Sequence, residues 1–145
     1  MIPKTLNVTL AREYDGTTTV AGALLTPTFD SLQGGETLAI SGTGSVANAN
    51  VGSSKAVTLG TIALAAGSGN PSNYSLNSVL LDVTQRVINL DGIRAYDATT
   101  NVLSSDINTF GNIVSGETLT ISGTGSVATN SVEMNKAISL GALSL

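Results

Sequence analysis

Cysteine and histidine are both absent from this chain, and the two absences remove most of the familiar catalytic and metal-binding chemistry. Without cysteine there is no disulfide, no thiol nucleophile and no thiolate metal ligand. Without histidine the commonest general base and metal ligand is missing. No carboxylate pair and no hydroxyl beside a base stands out among the remaining residues, so we expect no enzymatic activity and no cofactor.

Charged side chains are also scarce in this sequence. Six lysines and arginines stand against ten aspartates and glutamates, which gives a net charge of −4. No basic run is present that would neutralise phosphates, and this disfavours nucleic acid as a partner. No apolar run approaches the length of a membrane span, and no segment resembles a signal peptide. We expect no membrane insertion, and we expect any export signal to lie on a longer parent chain.

The chain does contain one pattern twice. Gly35–Ala47 reads GETLAISGTGSVA and Gly116–Ala128 reads GETLTISGTGSVA, with a single difference between them. The match extends outward, because Tyr14 returns as Tyr96 and most flanking positions keep nearly the same offset. A period of roughly eighty residues indicates one small domain used in tandem, since solenoid units are shorter.

The repeat predicts two domains, residues 1–81 and residues 82–145. The second domain lacks the counterpart of the last strand of the first. Almost no polar linker separates the two, and a short connection restricts the angle between neighbouring domains. The boundary stays open between two positions, because a strand at Tyr74–Val83 either closes the first domain or, if Gly67–Ser72 is the linker, opens the second.

Alternating apolar residues predict short strands. Thr5–Leu10 places every second residue on one face, and Glu36–Ser41 and its second copy do the same. At Gly60 and again at Gly141 the apolar parity switches, which indicates a β-bulge or a strand that bends into another sheet. No stretch longer than two turns has helical periodicity. We therefore predict an all-β fold, with an immunoglobulin-like sandwich favoured and a helix-poor β-grasp-like sheet as the alternative.

Two short motifs invite a functional interpretation that their context disfavours. Gly42–Ala47 matches the glycine-rich dinucleotide fingerprint, but that chemistry needs a helix after the glycines and none is predicted here. We interpret it as a glycine-rich turn or bulge. Asp15 and its repeat Asp97 are followed by threonines, which favours a turn in which the carboxylate binds its own backbone over a calcium site.

Asn7 and Asn73 each begin an N-glycosylation sequon, Asn7-Val8-Thr9 and Asn73-Tyr74-Ser75. The alternation places Asn7 on the solvent face of its strand. In a chain rich in asparagine, serine and threonine such matches also arise by chance. Glycosylation at these two residues is a hypothesis.

Several short motifs resemble the YDG repeat, and they occur in its order and spacing. Tyr14-Asp15-Gly16-Thr17-Thr18 carries the name motif, and Ala98 replaces its glycine in the second copy. The others are Gly35-Glu36-Thr37-Leu38 with Ser41-Gly42, Asn50-Val51-Gly52 with Lys55, and Asn73-Tyr74-Ser75-Leu76. The second copy also departs from the pattern where Val132-Glu133 stands in place of Val51-Gly52.

The resemblance implies a structural role. YDG repeats form tandem arrays in large bacterial surface proteins, including adhesins similar to filamentous haemagglutinin. It implies a non-catalytic stalk or spacer at the extracellular face of the cell, with neighbouring repeats as partners. The alternative is a ligand-binding adhesin module that recognises carbohydrate or another cell surface through its threonine-rich faces. Because the second copy stops before its last strand, we also expect it either to self-associate by strand addition at its open edge or to be stabilised by its neighbours in a longer array.

Overall fold

A computed structural model describes all 145 residues, and the chain is built almost entirely from β-strands. Three one-turn 3-10 helices are the only helical elements, at Gly22–Leu24, Pro71–Asn73 and Ser104–Asp106. The all-β prediction is confirmed. No helix has the length and apolar character needed to cross a membrane.

The chain divides into two compact units, Met1–Arg86 (unit 1) and Val87–Leu145 (unit 2). The repeat placed the end of the first domain at residue 81. Unit 1 extends further because its last strand continues to Thr84 and stays paired to the first strand along its whole length.

Unit 1 contains eight strands. In chain order they are Lys4–Glu13 (β1), Thr19–Ala21 (β2), Thr28–Phe29 (β3), Leu38–Ser41 (β4), Thr43–Ser45 (β5), Gly52–Ala56 (β6), Ala63–Ala66 (β7) and Tyr74–Thr84 (β8). One four-stranded sheet has the order β3-β1-β8-β6, and two antiparallel pairs, β2-β5 and β4-β7, complete the unit. The predicted strand at Tyr74–Val83 is therefore β8, and it lies inside unit 1.

The four-stranded sheet is mixed, because β1 and β8 are parallel while β3 and β6 run antiparallel to their neighbours. Parallel neighbours need a long crossover, and here the whole of β2 to β7 provides it. The sheet and the two strand pairs share one apolar core, which is consistent with a sandwich-like arrangement. Immunoglobulin-like sandwiches consist of antiparallel sheets, so the parallel pair is a departure from that pattern.

The core of unit 1 follows the predicted alternation. Leu6, Val8 and Leu10 of β1 are almost completely buried, as are Val79, Leu81 and Val83 of β8. A second, smaller cluster joins Leu6, Leu38 and Tyr74. Because β8 lies between β1 and β6, its side chains close the main core from the centre of the sheet.

The parity switch at Gly60 is a tight turn between two sheets. The Ile62 amide donates to the Leu59 carbonyl at 2.7 Å, and Gly60 has a φ of 54°. β6 before the turn belongs to the four-stranded sheet, whereas β7 after it pairs with β4. The chain thus passes from one sheet to another, which confirms the second of the two alternatives predicted at the parity switch. In unit 2 Leu143 donates to Leu140 at 2.7 Å across the same turn.

Unit 2 contains five strands. They are Asn89–Gly92 (β9), Asn101–Leu103 (β10), Ile107–Gly111 (β11), Thr124–Val127 (β12) and Ile138–Ser139 (β13). The sheets have the orders β11-β9 and β10-β12-β13.

The pairings of unit 2 reproduce those of unit 1 residue by residue. Leu90 pairs with Phe110 as Val8 pairs with Phe29. Val102 pairs with Gly125 as Val20 pairs with Gly44. The two units therefore share one topology wherever both have strands.

One predicted strand is absent from unit 2. The second copy of Glu36–Ser41, in which Leu119 and Ile121 were predicted to face inward, forms no strand. Only an isolated bridge between Ser122 and Ser144 remains of the pairing that β4 makes in unit 1. In unit 1 the equivalent strand β4 pairs with four residues of β7, whereas residues 1–145 include the counterparts of only the first two residues of β7. With so few partner groups the backbone ladder does not form.

The backbone at Gly42 lies very close to the backbone at Thr61, so this position has no room for a side chain. A Cβ at Gly42 would lie 2.0 Å from the Thr61 carbonyl oxygen, and its φ is 82°; Gly35 has a φ of 75° with nothing within 4 Å of its Cβ position. We expect Gly35→Ala to cost about 1–2 kcal/mol for the left-handed backbone alone. Gly42→Ala should cost roughly 1–3 kcal/mol more, because the backbone carbonyl blocks the methyl group.

The measurement is the free energy of unfolding of unit 1, obtained from hydrogen exchange of the β1 and β8 amides. Equal losses for the two alanine variants would show that the close contact between Gly42 and Thr61 has no energetic weight.

Candidate functional site

A network of polar contacts surrounds the turn after β1, and we call it the arginine turn (Arg12, Asp15 and Thr17). The Thr17 amide and hydroxyl both donate to Asp15 Oδ1 at 2.9 Å. The Arg12 guanidinium donates to the Thr17 hydroxyl at 3.2 Å, to the Thr17 carbonyl and to the Thr19 carbonyl at 2.6 Å. It also pairs with Asp15 Oδ2 at 3.2 Å. The turn predicted at Asp15 is confirmed, and its carboxylate is bound by the turn itself.

Unit 2 contains the same arginine turn, formed by Arg94, Asp97 and Thr99. The Thr99 amide donates to Asp97 Oδ1 at 2.9 Å, and Arg94 pairs with Asp97 Oδ2 at 3.1 Å. Arg94 also donates to the carbonyls of Thr99 and Asn101. Ala98 takes the place of the glycine with a φ of 64°, close to the 75° of Gly16. The turn keeps its left-handed residue although the side chain makes that conformation less favourable.

The electrostatics of the turn favour ionised aspartates. Burial acts to raise the pKa of Asp15, but the hydrogen bonds from Thr17 and the charge of Arg12 outweigh it and lower the pKa. The backbone hydrogen bond from Thr99 lowers the pKa of Asp97, helped by the Thr99 hydroxyl and Arg94 and opposed by burial. The lowered pKa values keep both carboxylates ionised, so each can form its ion pair with the arginine of the same turn.

A second repeated group is the lysine loop, formed by Lys55 with Asn48–Asn50 and by Lys136 with Thr129–Ser131. Lys55 Nζ donates to the Asn48 carbonyl at 2.8 Å and to the Asn50 carbonyl. Lys136 Nζ donates to the Thr129 carbonyl at 2.8 Å and to the Ser131 carbonyl. An ammonium group has three donors, and in each unit two of them hold a loop backbone in place.

The glycine-rich motif at Gly42–Ala47 serves packing between strands. Gly42 joins β4 to β5 with a φ of 82°, and β5 follows where a nucleotide site would need a helix. The turn interpretation is confirmed. In unit 2 a Cβ at Gly123 would lie 2.0 Å from the Ala142 carbonyl oxygen, which matches the close approach at Gly42.

Unit 2 contains a concave surface. It is a groove of about 990 Å³ between β9 and residues 133–138, and we call it the strand groove. Its walls include apolar residues from five parts of the unit, and these are Leu90, Val102, Val127, Ile138 and Leu143.

A comparison with family models gives one match, the YDG domain, over residues 2–80. The chain belongs to the YDG-domain family. The match runs from Ile2 to Leu80 of β8, so it includes the arginine turn and the lysine loop of unit 1. No curated protein and no solved structure matches the chain.

The closing motif of the YDG domain, Asn73-Tyr74-Ser75-Leu76, ties β8 to the loop before β4. Tyr74 is 7% exposed, and its hydroxyl donates to Glu36 Oε2 and accepts from the Gln33 amide at 3.3 Å. The hydrogen bond to the Glu36 carboxylate raises the pKa of Tyr74. The motif therefore fixes the start of β8.

The two sequon asparagines lie in different settings. Asn7 is exposed on β1, yet its Nδ2 donates to Asp30 Oδ2 at 2.7 Å and its Oδ1 accepts from Asn77 and Ser78 at 2.8 Å. A glycan on Nδ2 would replace one of these donor hydrogens. Asn73 is exposed at the end of a one-turn helix. Glycosylation at Asn7 and Asn73 stays a prediction.

No group of three or more acidic, histidine or cysteine side chains forms a metal site in this structure. The sequence patterns identified Asp15 and Lys55 but not Arg12, which donates three hydrogen bonds within its turn. The signal was present, because Arg94 stands at the same offset from Arg12 as Tyr96 does from Tyr14.

Acid should weaken each arginine turn in its own unit. Because the folded pKa of Asp15 and of Asp97 is lowered, the stabilisation is complete above the usual pKa of about 3.9 and is lost as pH falls through the lower folded values. Asp15→Asn keeps an oxygen for the Thr17 amide but loses the charge that Arg12 binds. We expect this variant to be less stable at neutral pH and to show a shallower loss of stability in acid.

The urea midpoint of unit 1, followed between pH 6 and pH 2 by exchange of its own amides, measures this effect. The matched variant Asp97→Asn should change only the amides of unit 2. An unchanged acid profile for Asp15→Asn would contradict the assigned role of its charge.

Proposed function

We propose that this chain is a non-catalytic spacer segment from the stalk of a secreted bacterial adhesin or matrix protein at the extracellular face of the cell. Its partners are the neighbouring repeats of the same parent protein. Membership of the YDG-domain family and the tandem repeat support this role.

The proposal rests on the hydrogen bonds that the repeated polar side chains make within their own turns and loops. Arginine, aspartate, threonine and lysine recur in both units, and in both they bind the backbone or side chains of their own turn or loop. A recurrent binding or catalytic site would direct such groups toward a ligand. Here they stabilise the turns and loops of units that have small apolar cores.

The junction supports a spacer as well. β8 ends at Thr84 and β9 begins at Asn89, so few residues separate the strands of successive units. Arg86, near this junction, donates to the Tyr14 carbonyl at 3.3 Å and pairs with Glu13 at 3.6 Å. These contacts shorten the free linker further, and short linkers transmit orientation.

A carbohydrate-binding adhesin module is the second candidate, because Thr18 and Thr100 are exposed beside the arginine turn in both units. Their carbonyls accept from Val46 and Val127, which leaves the side chains facing solvent. Two equivalent hydroxyls on two units would offer a bivalent surface.

A glycan array with the intact chain separates the two candidates. We expect no reproducible binding, because the repeated polar groups are already used inside the turns. The control is the double variant Thr18→Ala/Thr100→Ala, which changes only exposed side chains. Binding that this variant abolishes would overturn the spacer proposal in favour of the adhesin module.

The short junction yields a second prediction. Inserting Gly-Ser-Gly-Ser between Arg86 and Val87 should make the two units reorient more independently, seen as faster local tumbling in ¹⁵N relaxation. The same insertion between Gly34 and Gly35, which are exposed and have nothing within 4 Å of their Cβ positions, should leave their tumbling unchanged. Identical relaxation of the native chain and the junction variant would show that the native linker imposes no restraint.

A further inference from the structure

β2 of unit 1 and β10 of unit 2 stand at the same repeat position, and each has one free edge. β2 pairs only with β5, and β10 pairs only with β12. In an antiparallel pair, alternate residues turn their backbone groups toward the partner strand, and the residues between them turn theirs away. A row of amides and carbonyls that faces away from the partner is a template for an added strand. Each unit therefore either covers this edge or leaves it open to pairing.

Two contacts establish which residues of β2 face the free edge. The Val46 amide donates to the Thr18 carbonyl at 2.9 Å, so Thr18 faces β5. Ser45 lies opposite Thr19 but exchanges both of its backbone hydrogen bonds with Thr58, at 2.8 and 2.9 Å. The backbone groups of Thr19 therefore face away from β5. The residues that share this direction are Thr17, Thr19 and Ala21.

The guanidinium of Arg12 lies along this free edge and occupies two successive carbonyls. Its Nη1 donates to the Thr19 carbonyl at 2.6 Å, and its Nη2 donates to the Thr17 carbonyl. Asp15 Oδ1 accepts from the Thr17 amide at 2.9 Å, which occupies one edge donor as well. The planar fork of an arginine spans two acceptors, whereas the ammonium of a lysine acts as a single point. The arginine turn thus takes the place of a neighbouring strand.

Unit 2 covers the equivalent edge with the same groups and one more. Arg94 Nη1 donates to the Asn101 carbonyl, and Nη2 donates to the Thr99 carbonyl. The next outward residue is Leu103, and its amide donates to Asp106 Oδ2 at 2.9 Å. Asp106 has no acidic counterpart in unit 1, where Leu24 and Leu25 stand at the repeat position. Each unit therefore binds its own edge carbonyls with an arginine, and unit 2 adds a second carboxylate.

The burial of Arg12 indicates that the edge determines its position. Arg12 shares the face of β1 that carries Leu10, and its side chain is only 9% exposed. Its Nε is buried without a hydrogen-bond partner. A buried donor that lacks a partner is unfavourable, so the guanidinium is oriented by the edge carbonyls and Asp15 although one of its donors stays unused.

We propose that the arginine turn is an edge guard, which prevents strand addition at β2 and at β10. The strand that it excludes is the same edge of a second copy. Two β2 edges related by a two-fold axis would pair antiparallel, because a two-fold contact uses the same surface of both copies. A chain in which this edge occurs twice needs the guard in both units. This role goes beyond the spacer function and does not depend on it.

The experiment compares the intact chain with its Arg12→Leu variant by sedimentation velocity and hydrogen exchange over a range of concentrations. We expect the association constant of the variant to exceed that of the native chain by about tenfold or more, because an added strand gains backbone hydrogen bonds. The Thr19 and Ala21 amides should gain protection as the concentration rises. The Val20 amide faces β5 in the single chain already, so its protection should not depend on concentration.

Two further variants separate the cover of the edge from the stability of unit 1. Gly35→Ala destabilises the unit at a position with nothing within 4 Å of the new methyl group, so its association should equal that of the native chain. Adding Ala21→Pro to Arg12→Leu should return association to the native level, because proline removes an outward amide that the added strand needs. Ala21 has a φ of −90°, which is close to that of proline, so β2 itself is retained.

Arg12→Lys decides the same question if leucine at this position unfolds unit 1, which the exchange of the β1 and β8 amides reveals. Lysine keeps a charge for Asp15 but cannot span both carbonyls, so association should still exceed that of the native chain. Unchanged association of a folded variant, equal association of Gly35→Ala, or failure of Ala21→Pro to reverse the effect would overturn the proposal. Protection that appears at β6 or β9 in place of Thr19 and Ala21 would assign the association to another edge and would overturn it too.

Discussion

The parallel pairing of β1 with β8 is the constraint on which unit 1 depends. These strands are the first and the last of the unit, and every other element lies between them in the chain. Their register covers ten positions, and each strand contributes three almost fully buried residues to the core. A bulge at Asn77 interrupts the register once, and Asn7 stabilises it by accepting from both Asn77 and Ser78. Closure of this pair therefore forms the sheet and completes the core together.

The contrast with unit 2 shows how much that pair contributes. Thirteen of the sixteen buried apolar residues belong to unit 1, and the three in unit 2 are Val102, Ile107 and Leu143. The arginine turn and the lysine loop survive in unit 2 without the central strand, because their hydrogen bonds are local. The apolar core of unit 2 is smaller, because β9 pairs only with β11, whereas β1 pairs with both β3 and β8. Local polar contacts thus define the shape of each turn, while the central strand supplies the apolar burial.

Local patterns in the sequence predicted much of this fold. The alternation in β1 and β4, the turn at Gly60 and the turn at Asp15 all depend on neighbours a few residues apart, and each is confirmed. The pairing of β1 with β8 was not predicted, because its partners lie about seventy residues apart and no period links them. The strand expected in the second copy at Leu119 was wrong, since its partner strand is represented by two residues only. Arg12 was missed because its hydrogen-bond partners are backbone carbonyls, which leave no trace in the residue types.

The placement of β1 and β8 side by side also has a mechanical meaning. In unit 1 the chain enters at Lys4 and leaves at Thr84, and the two strands that begin and end this path are direct neighbours running the same way. A pull on both ends acts along the strands, so the hydrogen bonds between them are loaded in shear and must yield as a group. An antiparallel pair pulled from the same end would instead unzip one bond at a time. The order of the strands in this sheet therefore favours resistance to tension along the chain.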